Sequence, residues 1–356
     1  MKFVFYTNSV SPHQLPLARE LVARLGSDNY RYIYTESLST ERVNLGWSQI
    51  TESWIIRESE NKNYCRKILL TCDILLCGLR DWDLLEARGK RGLKTFYASE
   101  RWFKPLSIFS IRNYVWRVPG SWRMIIPTYR FMVHRLVKLV ENYPSVRILS
   151  YGVWAARDFE QMGIPSANLH IWGYAVEPHK GASIKRASLV GRPLRVLWIG
   201  RMIEWKRADT LIRAVAMAAN KGCSIRCTLV GAGPYKIRWQ SLAFRLMHDY
   251  KLTDKLFDFR ESLPITAVRD VMCQHDVCVL TSNACEGWGA VVNEALEEGM
   301  WVIGTHEAGS SATLLPETNR FACGDFERLT NLLCQSENLA HVSNYTLVSL
   351  VDQLLS

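Results

Sequence analysis

Two glutamates with seven residues between them have the type and spacing that point most directly to chemistry. They are Glu286 and Glu294, in the segment EGWGAVVNE, which reads as a strand end, a loop and a helix. Glu286 is expected in the loop and Glu294 about one turn into the helix, so both carboxylates can face one cleft. The backbone N–H groups of Gly287–Gly289 favour a bound phosphate at the helix start. Beside a phosphate, such carboxylates suit sugar and ribose hydroxyls better than acid and base catalysis; the alternative is a pair of exposed helix glutamates.

Two cations five residues apart form the second candidate group. Arg201 and Lys206 lie in IGRMIEWK, in a predicted turn between a strand and a helix, where they can clamp a diphosphate. The alternative is two ordinary surface cations. Gly231 and Gly233 follow a later strand, but the third glycine and the downstream acid of a dinucleotide fingerprint are missing.

In their order and spacing, the segments GRMIEWK, VGAGP, EGWGAVVNE and NRFACGD resemble the nucleotide-binding domain of the family 4 retaining glycosyltransferases. The likeness covers residues 194–325 well and the first half only in outline. It implies the α/β GT-B fold, in which two Rossmann-like domains face each other across a cleft. It also implies that a sugar moves from a nucleotide diphosphate sugar to an acceptor with retention at the anomeric carbon, without a metal or a separate cofactor.

The resemblance assigns roles to individual residues. Arg201 and Lys206 would bind the donor diphosphate, Glu286 would contact sugar hydroxyls, and Glu294 would hold the ribose. Arg201, Lys206 and Glu286 are therefore the predicted catalytic residues. The predicted donor-binding set consists of Arg201, Lys206, Gly233, Glu286, Gly287, Trp288, Gly289, Glu294 and Gly309. The loop of Gly309, THEAGSS, departs from the common Gly-Gly pair of the family.

The first half departs further from the family pattern. SVSPHQ replaces a glycine-rich turn after the first strand, and YASER stands where many members have a histidine. His13 and Glu100 are predicted as polar groups on the acceptor side. The alternatives are a histidine at a helix start and a surface acid in a salt bridge.

The sequence Asp81-Trp82-Asp83 imitates the D-x-D metal motif of a different glycosyltransferase fold. It closely follows a predicted strand and starts a helical pattern. An N-cap role for Asp81 or Asp83 is therefore the favoured interpretation, and no metal site is predicted.

The net charge of +10 is unevenly distributed. Residues 101–140 contain eight basic residues, no acid and eight aromatic residues. This composition suits an anionic lipid surface or a single-stranded nucleic acid, and a solvated, partly buried helix face is the plainer alternative. The favoured hypothesis is a membrane, with no nucleic acid as partner. Its predicted membrane-facing residues are Arg112, Arg117, Arg123, Trp116 and Trp122.

Short apolar runs alternate with helical patterns along the whole chain, which is typical of βαβ units and a parallel sheet. The length of 356 residues suits two domains. We expect an acceptor-binding Rossmann-like domain at 1–178, a nucleotide-sugar-binding one at 190–340, and a terminal helix at 341–356 whose docking the sequence does not reveal. Strands are predicted at Tyr30–Tyr34 and Val277–Leu280, and helices at Ala208–Asn220 and Leu347–Leu355.

The cellular setting follows from what the sequence lacks. No run of 18 uncharged residues is present, and the start MKFVFYTN turns polar too soon for a secretory signal. Most of the ten cysteines are expected to be buried thiols. We therefore expect a cytoplasmic protein, peripheral on the inner face of the cell membrane.

The resulting hypothesis is a hexosyltransferase-type enzyme of surface polysaccharide biosynthesis that acts on a lipid-linked glycan acceptor. The alternatives are a membrane- or nucleic-acid-binding module on a Rossmann-like scaffold, and an NAD-dependent oxidoreductase.

Overall fold

The computed structural model describes residues 1–38, 43, 52–102, 122–174, 176, 191–342 and 347–356, with the backbone alone at 122–129, 265, 266 and 347. The chain divides into two compact units. The first unit contains residues 1–38, 52–102, 122–174 and 347–356, and the second contains residues 43, 176 and 191–342.

A seven-stranded parallel sheet forms the centre of the first unit. Its strands are β1 (Phe3–Thr7), β2 (Tyr30–Tyr34), β3 (Ile55–Arg57), β4 (Ile74–Cys77), β5 (Lys94–Ser99), β6 (Val146–Tyr151) and β7 (Leu169–Trp172), in the order β3-β2-β1-β4-β5-β6-β7. Its helices are α1 (Leu15–Leu25), α2 (Lys62–Thr71), α3 (Trp82–Gly89), α4 (Trp122–Asn142) and α5 (Val153–Gln161). All residues of β1 and β4 are buried, as expected for strands covered on both faces.

The second unit has a six-stranded parallel sheet. Its strands are β8 (Leu194–Ile199), β9 (Ile225–Val230), β10 (Phe257–Arg260), β11 (Val277–Leu280), β12 (Trp301–Thr305) and β13 (Arg320–Phe321), in the order β10-β9-β8-β11-β12-β13. Its helices are α6 (Ala208–Asn220), α7 (Lys236–Asp249), α8 (Ile265–Cys273), α9 (Val291–Glu297), α10 (Gly309–Leu314) and α11 (Phe326–Cys334). The strand order reverses between β8 and β11, so ligands are expected beside the loops that follow these two strands.

The terminal helix α12 (Leu347–Leu355) returns to the first unit and packs against α1. Leu350, Val351 and Leu354 of α12 are buried. Arg24 of α1 binds Asp352 at 2.5 Å. The sequence did not reveal the docking partner of the terminal helix, and the structure shows that this helix packs against α1, the first helix of the chain.

The Asp81-Trp82-Asp83 segment begins α3. The Asp81 carboxylate accepts a hydrogen bond from the Leu84 N–H at 3.0 Å and pairs with Arg66 at 3.1 Å. Asp83 pairs with Arg135 at 2.5 Å. The predicted N-cap role of Asp81 is confirmed. Across the described part of the chain, no group of three or more potential metal ligands is found.

The cysteines follow the expectation with one exception. Eight are free thiols, and five of these are buried. Cys223, just after α6, forms a disulfide with Cys334 at the end of α11, with a Cα–Cα distance of 5.9 Å. The sequence analysis did not foresee this bond.

Within the described residues, no helix is both long enough and apolar enough to cross a bilayer.

Candidate active site

An ion pair between Lys206 and Glu286 lies at the carboxyl edge of the second sheet. Lys206 ends a short 3-10 turn after β8, and Glu286 lies in the loop after β11, 80 residues away in sequence. The Lys206 ammonium donates a hydrogen bond to one Glu286 oxygen, and the Ser282 hydroxyl donates to the same oxygen at 2.9 Å. Both members of the pair retain about one sixth of their side-chain exposure, 16% and 15%. The predicted clamp cation and the predicted sugar-contacting acid are thus brought together.

The backbone of this turn is anchored to the loop that follows β11. The Thr281 hydroxyl donates to the Lys206 carbonyl at 2.6 Å and accepts from the Trp198 indole at 2.9 Å. The Asn283 N–H donates to the Trp205 carbonyl at 2.9 Å. These bonds fix the Lys206 backbone relative to β8 and β11.

Arg201 lies between β8 and this 3-10 turn and is exposed. Its guanidinium carbon is 6.0 Å from the centre of the Trp205 ring, within cation–π range. After the turn, Arg207 has a φ of 47°, in the left-handed region, and its guanidinium makes two 3.0 Å hydrogen bonds to Asp209.

Gly231 and Gly233 allow the loops after β8 and β9 to touch. A Cβ atom on Gly231 would lie 1.9 Å from the Gly200 carbonyl oxygen, and one on Gly233 would lie 2.5 Å from the Met202 carbonyl oxygen. Both glycines have a φ of 149°. Gly233 is a predicted donor-binding residue, but the structure shows that a glycine is needed here for the close approach to the Met202 backbone.

Gly309 has the same function for the loops after β11 and β12. A Cβ atom there would lie 2.2 Å from the Gly287 carbonyl oxygen. The Trp288 ring is buried, and its indole N–H donates to Asn293 at 2.7 Å. Trp288 can therefore reach a donor only through its backbone. Gly287–Gly289, the segment predicted to bind a phosphate, therefore lies directly against the loop that follows β12.

Glu294 lies in α9, behind this loop, and is half-buried. Burial raises the pKa of its carboxyl to about 7; the positive charge of Arg269 lowers this pKa and the negative charge of Glu298 raises it. A carboxyl group that titrates near neutrality is typical of functional sites. Sequence reasoning did not find Arg269 and Glu298, since neither belongs to a motif.

On the first unit, His13 and Glu100 flank one pair of tyrosines. The His13 ring centre is 6.0 Å from that of Tyr174, which stacks on Tyr151 at 4.8 Å. The Glu100 charge acts on both tyrosines, and burial raises the pKa of Tyr151 to about 12. The structure thus groups both predicted acceptor-side residues at the carboxyl edge of the first sheet. Tyr151 and Tyr174 were missed in the sequence analysis. The signal that could have found them is that each lies at or just beyond the end of one of two neighbouring strands.

The predicted membrane-facing residues fall largely outside the described part of the chain. Arg112, Trp116 and Arg117 lie there entirely, and Trp122 and Arg123 are described only by their backbone in α4. That hypothesis stays a prediction.

Known proteins are similar to this chain in sequence and in fold. Residues 193–336, which hold Lys206, Glu286 and Glu294, match the family model of the glycosyl transferases group 1. The "Putative colanic acid biosynthesis glycosyltransferase WcaL" of Salmonella typhimurium strain LT2 is 26% identical over 182 residues. The alignment covers 47% of this chain and 43% of that protein, so this chain spans less than half the length of its curated relative.

Solved structures resemble the whole chain. Anabaena Alr3699/HepE in complex with UDP has a TM-score of 0.65 at 14% identity, covering 100% of this chain and 98% of that one. The lipopolysaccharide outer core galactosyltransferase WaaB in its apo form has a TM-score of 0.60 at 14% identity, covering 100% and 95%. The fold is GT-B, and the resemblance to family 4 is confirmed. In this GT-B chain, the family match falls on the unit that carries the Lys206–Glu286 pair.

The raised pKa of Glu294 predicts that this residue destabilises the free protein above neutral pH. A carboxyl whose pKa is higher in the folded state than its ordinary 4.5 is penalised progressively as the pH rises from 4.5 through about 7. Glu294→Gln should therefore stabilise the ligand-free protein at pH 8 by up to about 3 kcal/mol and have little effect at pH 4.5. Urea unfolding at both pH values measures this difference. Glu297→Gln, on the same helix, is the matched control, and equal effects of the two variants at pH 8 would contradict the assignment.

Proposed function

We propose that this protein is a retaining, metal-independent glycosyltransferase of the hexosyltransferase type that acts in surface polysaccharide biosynthesis. Its donor would be a nucleotide diphosphate sugar and its acceptor a lipid-linked glycan. The single observation that carries the proposal is the Lys206–Glu286 ion pair at the carboxyl edge of the sheet, within the unit that matches the glycosyl transferases group 1. The similarity to an Anabaena protein solved with UDP supports the donor class, and the similarity to a lipopolysaccharide galactosyltransferase supports the process.

Charge balance explains how the pair would work. In the free protein Glu286 neutralises Lys206. A bound diphosphate would share the three N–H donors of the Lys206 ammonium with Glu286, while Ser282 holds the Glu286 carboxylate in place for sugar hydroxyls. When the bond from the anomeric carbon to the diphosphate oxygen breaks, the electron pair leaves with the diphosphate. Lys206 and Arg201 would stabilise that developing charge.

The two cations also support metal independence. They supply the positive charge that a divalent ion supplies in D-x-D enzymes, while Asp81 is engaged as a helix cap and Asp83 pairs with Arg135. The neighbourhood of His13 and Glu100 supports an acceptor role for the first unit, because imidazole and carboxylate groups lie at one sheet edge around the stacked Tyr151 and Tyr174.

The proposal predicts that a nucleotide sugar stabilises the protein against heat. The pure protein is incubated with UDP-, GDP- and ADP-sugars and with NAD, and the melting temperature is measured. A ligand at one hundred times its dissociation constant should contribute about 2.7 kcal/mol. Stabilisation by NAD alone would favour an oxidoreductase, and no response to any nucleotide sugar would overturn the donor assignment.

A kinetic prediction addresses the clamp. Lys206→Ala and Arg201→Ala should each lower kcat roughly a hundredfold or more, because each removes a group that meets the leaving diphosphate. Turnover is followed as nucleoside diphosphate released from the donor found above, and the melting temperature of each variant verifies folding. Arg213→Ala, which removes an exposed cation from α6, should keep normal turnover. Near-normal turnover of Lys206→Ala would remove the basis of the proposal.

We further propose that residues 101–140 hold the enzyme on the cytoplasmic face of an anionic membrane. Of the eight cations in this segment, Arg101, Arg135 and Lys138 pair with Asp158, Asp83 and Glu141. The remaining cations support this site, since each Lys or Arg near such a surface contributes about 1 kcal/mol. The triple variant of Arg112, Arg117 and Arg123 to Glu should therefore lose co-sedimentation with vesicles of phosphatidylserine and phosphatidylcholine.

Raised salt should weaken the binding of the wild type in the same assay. Activity on a short soluble acceptor should survive the triple change, because the donor residues belong to the other unit. A wild type that ignores anionic vesicles at low salt but binds single-stranded RNA tightly would overturn the membrane hypothesis.

A further inference from the structure

A buried charge network joins α8 to the end of α9. The Arg269 guanidinium of α8 donates through Nε to one oxygen of Glu298, and the Cys273 thiol donates to the other at 3.1 Å. The Glu298 side chain has no exposed surface, and that of Arg269 is 18% exposed. A buried carboxylate is tolerated when a cation and hydrogen bonds compensate its charge. Arg269 and Cys273 together supply both.

Glu294 lies one helical turn before Glu298. The Glu298 N–H donates to the Glu294 carbonyl at 3.1 Å, so the two side chains project from the same side of the helix. The Arg269 charge acts on Glu294 as well as on Glu298. The cation that binds Glu298 therefore also acts through its charge on Glu294, the predicted ribose acceptor.

In the described part of the chain, the helices and strands packed against α9 carry few other ionisable groups. The elements packed against α9 are α8, α10, β11 and β12. On α8, Asp270 acts on the Cys273 thiol; β11 carries only the buried thiol of Cys278, and α10 and β12 carry no ionisable side chain. Burial raises the pKa of Glu294, and the two charges that act on this carboxyl, Arg269 and Glu298, shift its pKa in opposite directions.

We propose that Arg269 is a positioning residue of the nucleotide site: bound to Glu298 one helical turn after Glu294, its guanidinium keeps the Glu294 carboxylate ionised for the ribose hydroxyls. Together with Glu298 it sets the pH above which the nucleotide binds tightly. This inference rests on the proposed function, because it needs the ribose at Glu294. It assigns a role to α8, an element outside both motifs that carry the donor residues.

The physical basis is competition between a proton and the ribose. An ionised carboxylate offers two acceptor oxygens to a pair of ribose hydroxyls, whereas a protonated one uses one oxygen as a donor. The carboxyl of Glu294 titrates at about pH 7. Ribose-dependent affinity should therefore rise with pH, by about tenfold between pH 6 and pH 8 for a single proton.

The experiment measures dissociation constants by isothermal titration calorimetry at pH 6, 7 and 8. The probes are UDP and 2′,3′-dideoxyuridine diphosphate, or the corresponding GDP or ADP pair if the donor screen selects another base. The ratio of the two constants cancels the titration of the terminal phosphate, which both probes share. In the wild type this ratio should change about tenfold in favour of the ribose-containing probe between pH 6 and pH 8.

Three variants and one control test the network. Glu298→Gln leaves the Arg269 charge to Glu294 alone, so the midpoint should move to lower pH and the change in the ratio should shrink to about twofold. Arg269→Met removes the larger of the two opposing charge effects on Glu294, so the midpoint should move to higher pH and ribose-dependent affinity at pH 7 should fall. Arg269→Lys restores a cation and should recover most of the wild-type profile. Glu297→Gln, the adjacent acid, should keep the wild-type profile.

A purely structural role for Arg269 would lower the melting temperature without moving the midpoint. If Arg269→Met does not fold, Glu298→Gln alone decides. An unchanged midpoint in Glu298→Gln overturns the inference while leaving the proposed function intact. Failure of every nucleoside diphosphate to bind the wild type overturns the proposed function itself.

Discussion

The ion pair between Lys206 and Glu286 imposes the constraint on which the rest of the site depends. Its partners are 80 residues apart, and they meet because β8 and β11 are neighbours in the sheet and both loops leave the same edge. A parallel sheet makes such a meeting possible, since the carboxyl ends of all its strands lie together. Any other position of β11 would separate the cation from the acid. The topology of the second unit is therefore part of its chemistry.

The glycines near this pair show how the same loops are brought close. Gly231 and Gly309 lie where a Cβ atom would collide with a carbonyl oxygen of the neighbouring loop, at 1.9 and 2.2 Å. Glycine is the residue that permits such a backbone approach. In the sequence these glycines suggest phosphate recognition. In the structure they are needed first for the contact between neighbouring loops, against which a donor would then lie.

Several regular elements could be predicted from the sequence, but the charge network could not. Four elements have their predicted bounds: Tyr30–Tyr34, Val277–Leu280, Ala208–Asn220 and Leu347–Leu355. They could be predicted because burial of one face or of a whole strand produces a regular pattern of apolar residues in the sequence. Arg269 and Glu298 look like ordinary helix charges until α8 is placed on α9. The bond between Cys223 and Cys334 spans 111 residues and has no local spacing signal. Contacts between distant segments are what a single sequence leaves undetermined.

The turn that carries Lys206 is held by hydrogen bonds to its backbone and is followed by a residue in a strained backbone conformation. Arg207, directly after it, holds a left-handed backbone with a φ of 47°, which costs an L-residue other than glycine about 1–2 kcal/mol. Such a conformation persists where the surroundings determine it. Here Thr281 and Asn283 hold two successive carbonyls, and Asp209 holds the Arg207 guanidinium. Because the backbone is fixed before a ligand arrives, the Lys206 ammonium needs little further ordering to meet a developing negative charge.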